Sequence, residues 1–235
     1  MKVAVLISGQ PRYVDKLSYK IIKKYLLDKY DCDVYCHCWF DKELIMKTSP
    51  WSGHTHFKCN GDELELIRNN YKPAGFEYDT PISSDTIYNF KNIANIATPY
   101  NLTSMYTSMK RAYQVFCKYK PINIEYDIFI KLRYDAIPTE LPNLYNLPKG
   151  FLYFSGQHDA KKHVLANHMI ISTDKKSFET IMCMVDNMIE CDNDNVIVND
   201  EEVIYHIVNK RKLSYSLLPM SQFRILLPAE VGFKM

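Results

Sequence analysis

Apolar residues follow two rhythms along this chain. Short continuous runs (Val3 to Ile7, Cys32 to Phe40 and Ile128 to Leu132) are rich in β-branched and aromatic side chains, and predict buried strands. Elsewhere the apolar positions recur every three or four residues. From Val14 they fall at Leu17, Ile21, Ile22, Tyr25 and Leu26; beyond Asn101 they fall at Met105, Met109, Ala112, Val115, Phe116 and Tyr119. Each stripe predicts an amphipathic helix, the second capped by Asn101 or Thr103. Two further stripes follow, Phe178, Ile181, Met182, Val185, Met188, Ile189 and then Val203, Ile204, Ile207, Val208.

Shorter signals fill the gaps. Asp62 to Asn70 reads as a short helix carrying Leu64 and Ile67, and Gly75 to Tyr78 as a strand. Phe151 to Ser155, Leu165 to Ser172 and Leu213 to Leu218 read as three more strands, with a polar insertion at 156–163. Residues 41–60 read as irregular, and 79–100 as a long connection of the kind that often carries function. The opening strand, polar loop, helix, strand order is a βαβ unit, which implies parallel strands and a right-handed crossover. No repeat, low-complexity tract or linker interrupts residues 1–235, so the expectation is one α/β domain.

Composition narrows the class. A chain that is 47% hydrophobic over 235 residues can bury a sizeable core. A net charge of +2 gives no general reason to expect nucleic acid or an anionic membrane as partner. No apolar run approaches the roughly 18 residues of a transmembrane segment. Met1 to Ser8 is too short for a secretory signal core and reads as the first strand. Seven scattered cysteines, an odd count, predict free thiols and a cytoplasmic location.

The candidate chemistry gathers around Ile128 to Leu132, which runs straight into Arg133-Tyr134-Asp135. Arg and Asp two residues apart on an extended chain point to the same side. At the C-terminal end of a central strand they would stand where open α/β sheets bind ligands. An Asp there can hold a divalent cation and an Arg can fork onto phosphate; a pair that only caps the strand is the other reading. Ser8-Gly9-Gln10-Pro11-Arg12 leaves the first strand at the same edge. Gly9 would allow close backbone approach and Arg12 could meet a phosphate, although the spacing is no known phosphate fingerprint and a plain turn also fits. Ser104, Ser108 and Arg111 share one helix face, solvated or turned into the cleft.

Three other groups carry candidate chemistry. Cys36-His37-Cys38 with Trp51, His54, His56 and Cys59 invites a zinc site, but His37 faces away from the two cysteines and no C-x2-C pair is present. Core thiols beside a polar loop are the better account. Asn167 and His168 stand at the mouth of a strand. The acids Asp192, Asp194, Asp200, Glu201 and Glu202 lead into a helix, which the helix dipole explains and a general base would also use.

Taken in order, these segments resemble small nucleotide-sugar-dependent glycosyltransferases of GT-A type from bacteria and large DNA viruses. The resemblance rests on Val3 to Arg12, Val34 to Trp39, Asn101 to Ala112, Tyr126 to Asp135, Asn167 and the Glu201-Glu202-Val-Ile segment. It implies a Rossmann-like α/β fold, a mostly parallel mixed sheet flanked by helices. It implies transfer of a sugar from a nucleotide-diphosphate donor, a UDP-sugar first among them, to a hydroxyl of a glycan or other acceptor. Arg133-x-Asp135 stands where other GT-A enzymes place Asp-x-Asp, so Asp135 would bind Mn2+ or Mg2+ and Arg133 would share the diphosphate charge. Ser8, Gly9, Gln10 and Arg12 would line the nucleotide pocket with Ser104, Ser108 and Arg111. His168 replaces the acid that relatives often carry after Asn167, and would serve as an acceptor contact or as a ligand at the nucleotide-sugar site. Glu201 fits the pattern of the catalytic base better than Glu202.

Three rivals follow from the same residues. The missing second acid and His168 suggest a catalytically silent domain of GT-A type that binds nucleotide sugar or glycan. A zinc-bearing interaction module and a nucleotidyltransferase with a similar cleft are the other two.

Overall fold

The run that opens the chain becomes the hub of a sheet. The computed structural model describes residues 1–12, 14, 17–41, 45–47, 56–58, 61–93, 99–138, 141–155, 165–166, 168–199, 201–218 and 223–225. Strand β1 (Lys2–Ser8) pairs in parallel with β2 (Asp31–Trp39) on one side and β6 (Ile128–Arg133) on the other. Among the described residues, seven strands form the main sheet in the order β10-β8-β9-β6-β1-β2-β5. Here β5 is Gly75–Asp79, β8 Leu152–Phe154, β9 Ile170–Ser172 and β10 Tyr215–Leu217. All neighbours are parallel except β9, which runs antiparallel to both β6 and β8.

The continuous apolar runs have a direct cause. Ala4 and Leu6 of β1 face one buried layer, Val3, Val5 and Ile7 the other, so neither face of the strand meets water. Helix α3 (Pro99–Tyr119) covers the first face with Leu102, Tyr106, Met109, Ala112, Tyr113 and Phe116. On the same face lie α4 (Lys175–Met182), α5 (Met188–Asn193) and α6 (Glu202–Lys210). Helix α1 (Leu17–Ile22), a following π-helical turn at Lys23–Leu27, and α2 (Glu63–Tyr71) cover the other with Ile22, Leu26, Ile67 and Tyr71. The result is an α/β fold with helices on both sides of a mostly parallel mixed sheet. No helix among the described residues is long and apolar enough to cross a membrane.

Several elements differ from the sequence expectation. The stripe Phe178 to Ile189 predicts one helix, but a 3-10 turn at Met184–Asn187 splits it into α4 and α5. The two helices and the turn between them bury Phe178, Ile181, Met182, Met184 and Met188, while Ile189 at the end of the stripe is left exposed. The expected strand at Leu165 to Ser172 is reduced to its last three residues. Residues 41–60, expected to be irregular, contain a short antiparallel pair, β3 (Ile45–Lys47) with β4 (His56–Lys58). A second antiparallel pair, which the sequence reading did not include, joins β7 (Ala136–Pro138) to β11 (Phe223–Ile225). Trp51, His54, Cys59, the whole polar insertion at 156–163, Asn167 and Asp200 lie outside the described residues.

Gly75 marks where α3 seats on β5. A Cβ added there would lie 2.8 Å from the Cβ of Tyr119, an atom fixed to the helix backbone. Gly75→Ala is therefore expected to lower stability by about 1–3 kcal/mol in urea unfolding. A variant as stable as the wild type would show that the end of α3 is not seated on this strand.

Candidate active site

The parallel pairing of β1 with β6 places Ser8 opposite Arg133, so both loops leave the sheet at the same C-terminal edge. Beyond that edge Asp135 is buried, at 2% exposure, between two guanidinium groups. Arg133 forks onto it: Nε donates to Oδ1 at 2.8 Å and Nη2 to Oδ2 at 2.8 Å. Arg12 Nη1 donates to Oδ2 at 3.2 Å, and Arg12 Nη2 also donates to Gln10 Oε1. Burial alone would raise the Asp135 pKa, but the Arg133 and Arg12 charges override it and hold the carboxyl well below the usual carboxylate range. Arg133 retains 23% side-chain exposure and Arg12 only 8%, so Arg133 is the more accessible cation.

This donor set does not fit a divalent cation held by Asp135. Both carboxylate oxygens already accept from guanidinium groups, and the charge beside them is positive. Among the described residues no group of three or more His, Cys, Asp or Glu side chains is placed to hold a metal ion. The same arrangement suits an anion, because planar guanidinium forks match phosphate oxygens.

A second cluster lies one strand away. Gly9 has a φ of +114°, a region that other residues rarely adopt, and a Cβ added there would meet no atom within 4 Å. Its N–H donates to Ser108 Oγ at 2.8 Å, and its C=O accepts from Trp39 N–H at 3.2 Å. Ser108 Oγ also lies 2.8 Å from Nδ1 of His37, whose Nε2 lies 3.2 Å from Asp79 Oδ2. Arg111 Nε reaches the same Asp79 oxygen at 3.4 Å. Asp79 is acceptor-only when ionised, so the His37 proton sits on Nε2 and Nδ1 accepts from the Ser108 hydroxyl. Burial outweighs the Asp79 contact and lowers the His37 pKa to about 4, leaving the ring neutral.

The face of α3 expected to present two hydroxyls and a cation is thus divided. Ser108 is fully buried and holds the Gly9 turn. Ser104 uses its backbone C=O to accept from Trp39 Nε1 at 3.2 Å, and Arg111 is half-exposed beside Asp79.

His168 and the start of α6 approach from the other side. Because β9 runs antiparallel to β6 with Ile170 opposite Lys131, the chain just before β9 heads toward Arg133. His168 lies there and adds a small part to the lowering of the Asp135 pKa. Leu165 N–H donates to Glu201 C=O at 3.3 Å, and His168 stands three positions after Leu165. That separation spans at most about 11 Å, so the start of α6 belongs to the same region. Asn199 caps it, accepting from Glu201 N–H at 2.9 Å and Glu202 N–H at 2.7 Å. Two other acids of the run, Asp192 and Asp194, hold local structure. Asp192 is buried and accepts from Tyr88 Oη and Lys91 N, and Asp194 pairs with His206 and Lys210.

His37, Asp79 and the fully buried Lys131, which shares a face of β6 with Arg133, are polar residues near the site that sequence reasoning did not select. A charged residue inside an otherwise apolar strand was the available signal for Lys131. For His37 it was the alternation that sets it opposite Cys36 and Cys38, which the structure bears out. The two thiols lie in the layer under α1 and α2, and burial pushes Cys36 up to about 12.

The His37 environment has a measurable consequence. Unfolded, the ring takes up a proton near its ordinary value of 6.5; folded, only near 4. Stability is therefore unaffected by this group above pH 6.5 and falls as pH drops toward 4, by about 3 kcal/mol at roughly 1.4 kcal/mol per pH unit. The Asp135 pairs act lower still, and are lost only as pH falls below the carboxylate range. Urea midpoints of wild type and His37→Asn between pH 7 and 4 should diverge on the acid side, with the wild type losing more; parallel curves would contradict the assignment.

No protein-family model and no curated protein matches the chain. Solved structures do. The glycosyltransferase GlyE of Streptococcus pneumoniae TIGR4 is similar over 93% of this chain and 46% of its own, at 14% identity and a TM-score of 0.44. Galactosyltransferase LgtC, in complex with donor and acceptor sugar analogs, is similar over 92% of this chain and 73% of its own, at 12% identity and a TM-score of 0.45. A nucleoside-diphosphate-sugar pyrophosphorylase of Vibrio cholerae RC9 is similar over 97% of both chains, at 9% identity and a TM-score of 0.44. The chain spans less than half the length of GlyE, and likenesses at this level assign neither family nor activity.

Proposed function

We propose that this chain is a glycosyltransferase that moves a sugar from a nucleotide-diphosphate donor, a UDP-sugar first among candidates, to a hydroxyl of a glycan or other acceptor. One observation carries the reading: a buried carboxylate holds two guanidinium groups at the C-terminal edge of β1 and β6, beside a glycine turn. That is a preorganised site for a doubly charged leaving group. The GT-A resemblance of the ordered segments supports it, as does the start of α6 lying in the same region.

In the proposed reaction the acceptor oxygen bonds to the donor anomeric carbon as the bond from that carbon to the diphosphate oxygen breaks. Glu201 accepts the acceptor's proton, and the departing diphosphate is stabilised by Arg133 with Arg12 behind it. Single displacement of this kind inverts the anomeric centre. Gly9 and Ser8 border the nucleotide, and His168 contacts the acceptor or the donor sugar. Asp135 acts by holding the two arginines, so no step is routed through a cation.

Substitutions test these roles. Arg133→Met should lower transfer by about a hundredfold or more, the scale of losing one preorganised charge donor. Glu201→Gln should lower kcat by at least about a hundredfold with little change in donor affinity. Should Glu202→Gln do so instead, the base is one residue further on. Asp135→Ala would leave two buried guanidinium groups facing each other and should cost about 3–5 kcal/mol of stability. Tight donor binding with no turnover on any acceptor would favour the binding-only domain over the transferase.

A further inference from the structure

Gly9 is held from three elements at once. Its N–H is tied to α3 through Ser108, its C=O to the end of β2 through Trp39, and Ser108 to β5 through His37 and Asp79. The hydrogen-bond directions form one chain. Gly9 N–H donates to Ser108 Oγ, the Ser108 hydroxyl donates to His37 Nδ1, and His37 Nε2–H donates to Asp79, which Arg111 also meets. Each link fixes the next, because Ser108 can give its proton to Nδ1 only while that nitrogen carries none.

We propose that His37 is a positioning residue for the donor site, setting the Gly9 peptide through Ser108 and thereby the turn that carries Arg12. This rests on the donor-binding reading of the strand edge. The turn after Gly9 is tight, with Arg12 N–H donating to Gln10 C=O at 2.8 Å while the Arg12 side chain reaches both Gln10 and Asp135. A rotation of the Gly9 peptide would therefore move the guanidinium behind Arg133. His37 itself is 1% exposed and has the whole of β1 between it and Arg133, so it acts without touching the donor.

The relay is also selective about what may replace its parts. Asn at position 37 keeps an acceptor close to where Nδ1 stands, whereas Phe keeps only ring volume. Ala at position 108 removes the central link and leaves both the Gly9 N–H and Nδ1 without their partner.

The test combines amide exchange with kinetics on the full chain. In His37→Phe and Ser108→Ala the Gly9 amide should exchange at least about tenfold faster than in the wild type, and His37→Asn should restore most of the protection. With UDP-sugar donors, the two disruptive variants should raise the donor KM several-fold while kcat changes less. The double variant should be no worse than either single one, since both break one chain. Unchanged Gly9 exchange in His37→Phe, or additive losses in the double variant, would overturn the relay. If His37→Phe does not fold, Ser108→Ala and His37→Asn carry the same comparison. If the wild type binds no UDP-sugar, the donor reading falls, while the exchange data still decide whether His37 sets Gly9.

Discussion

A carboxylate sealed between two guanidinium groups sets the conditions for the whole strand edge. Asp135 could not remain ionised at 2% exposure without them, since desolvating a lone carboxylate costs several kcal/mol. The Arg133 fork and the Arg12 contact together offset that cost, and in return the carboxylate fixes both arginines. The triad exists only because β1 and β6 are parallel neighbours in one register, which brings residues 12 and 135 together from opposite halves of the chain.

That register is itself a packing result. β1 is buried on both faces, so a one-residue slip would exchange the side chains facing α3 with those facing α1 and α2. The left-handed turn at Gly9 then carries the chain over the strand end, where Ser108 and Trp39 take both of its backbone groups. Core packing, the glycine conformation and the charge cluster thus depend on one another in sequence.

Much of this was legible residue by residue. Strands buried on both faces write themselves as continuous apolar runs, so β1, β2 and β6 could be read directly. Of the three-residue strands, β8 and β10 fall inside runs that read as strands, whereas β3, β4 and β11 leave too little pattern, and the reversed direction of β9 is a matter of pairing that no local period encodes. The Arg133 and Asp135 pair was visible because an i, i+2 spacing puts both on one side of an extended chain. Their burial was not, because it depends on Arg12, more than a hundred residues away. His37 and Asp79 illustrate the same limit: 42 residues apart, they meet only because β2 pairs with β5. Ser104, Ser108 and Arg111 were grouped correctly by helical period, yet period cannot tell which of them is sealed beneath a loop and which faces water.

If the guanidinium pair does the work that a cation does elsewhere, diphosphate binding should not need one. The most direct measurement is calorimetric titration of UDP into wild type and Arg133→Gln in the presence of EDTA. The account predicts binding by the wild type without added metal, weakened by at least about tenfold in the variant, as expected for loss of a charge-assisted contact. Binding that appears only on adding Mn2+, or an Arg133→Gln variant that binds UDP as the wild type does, would contradict it.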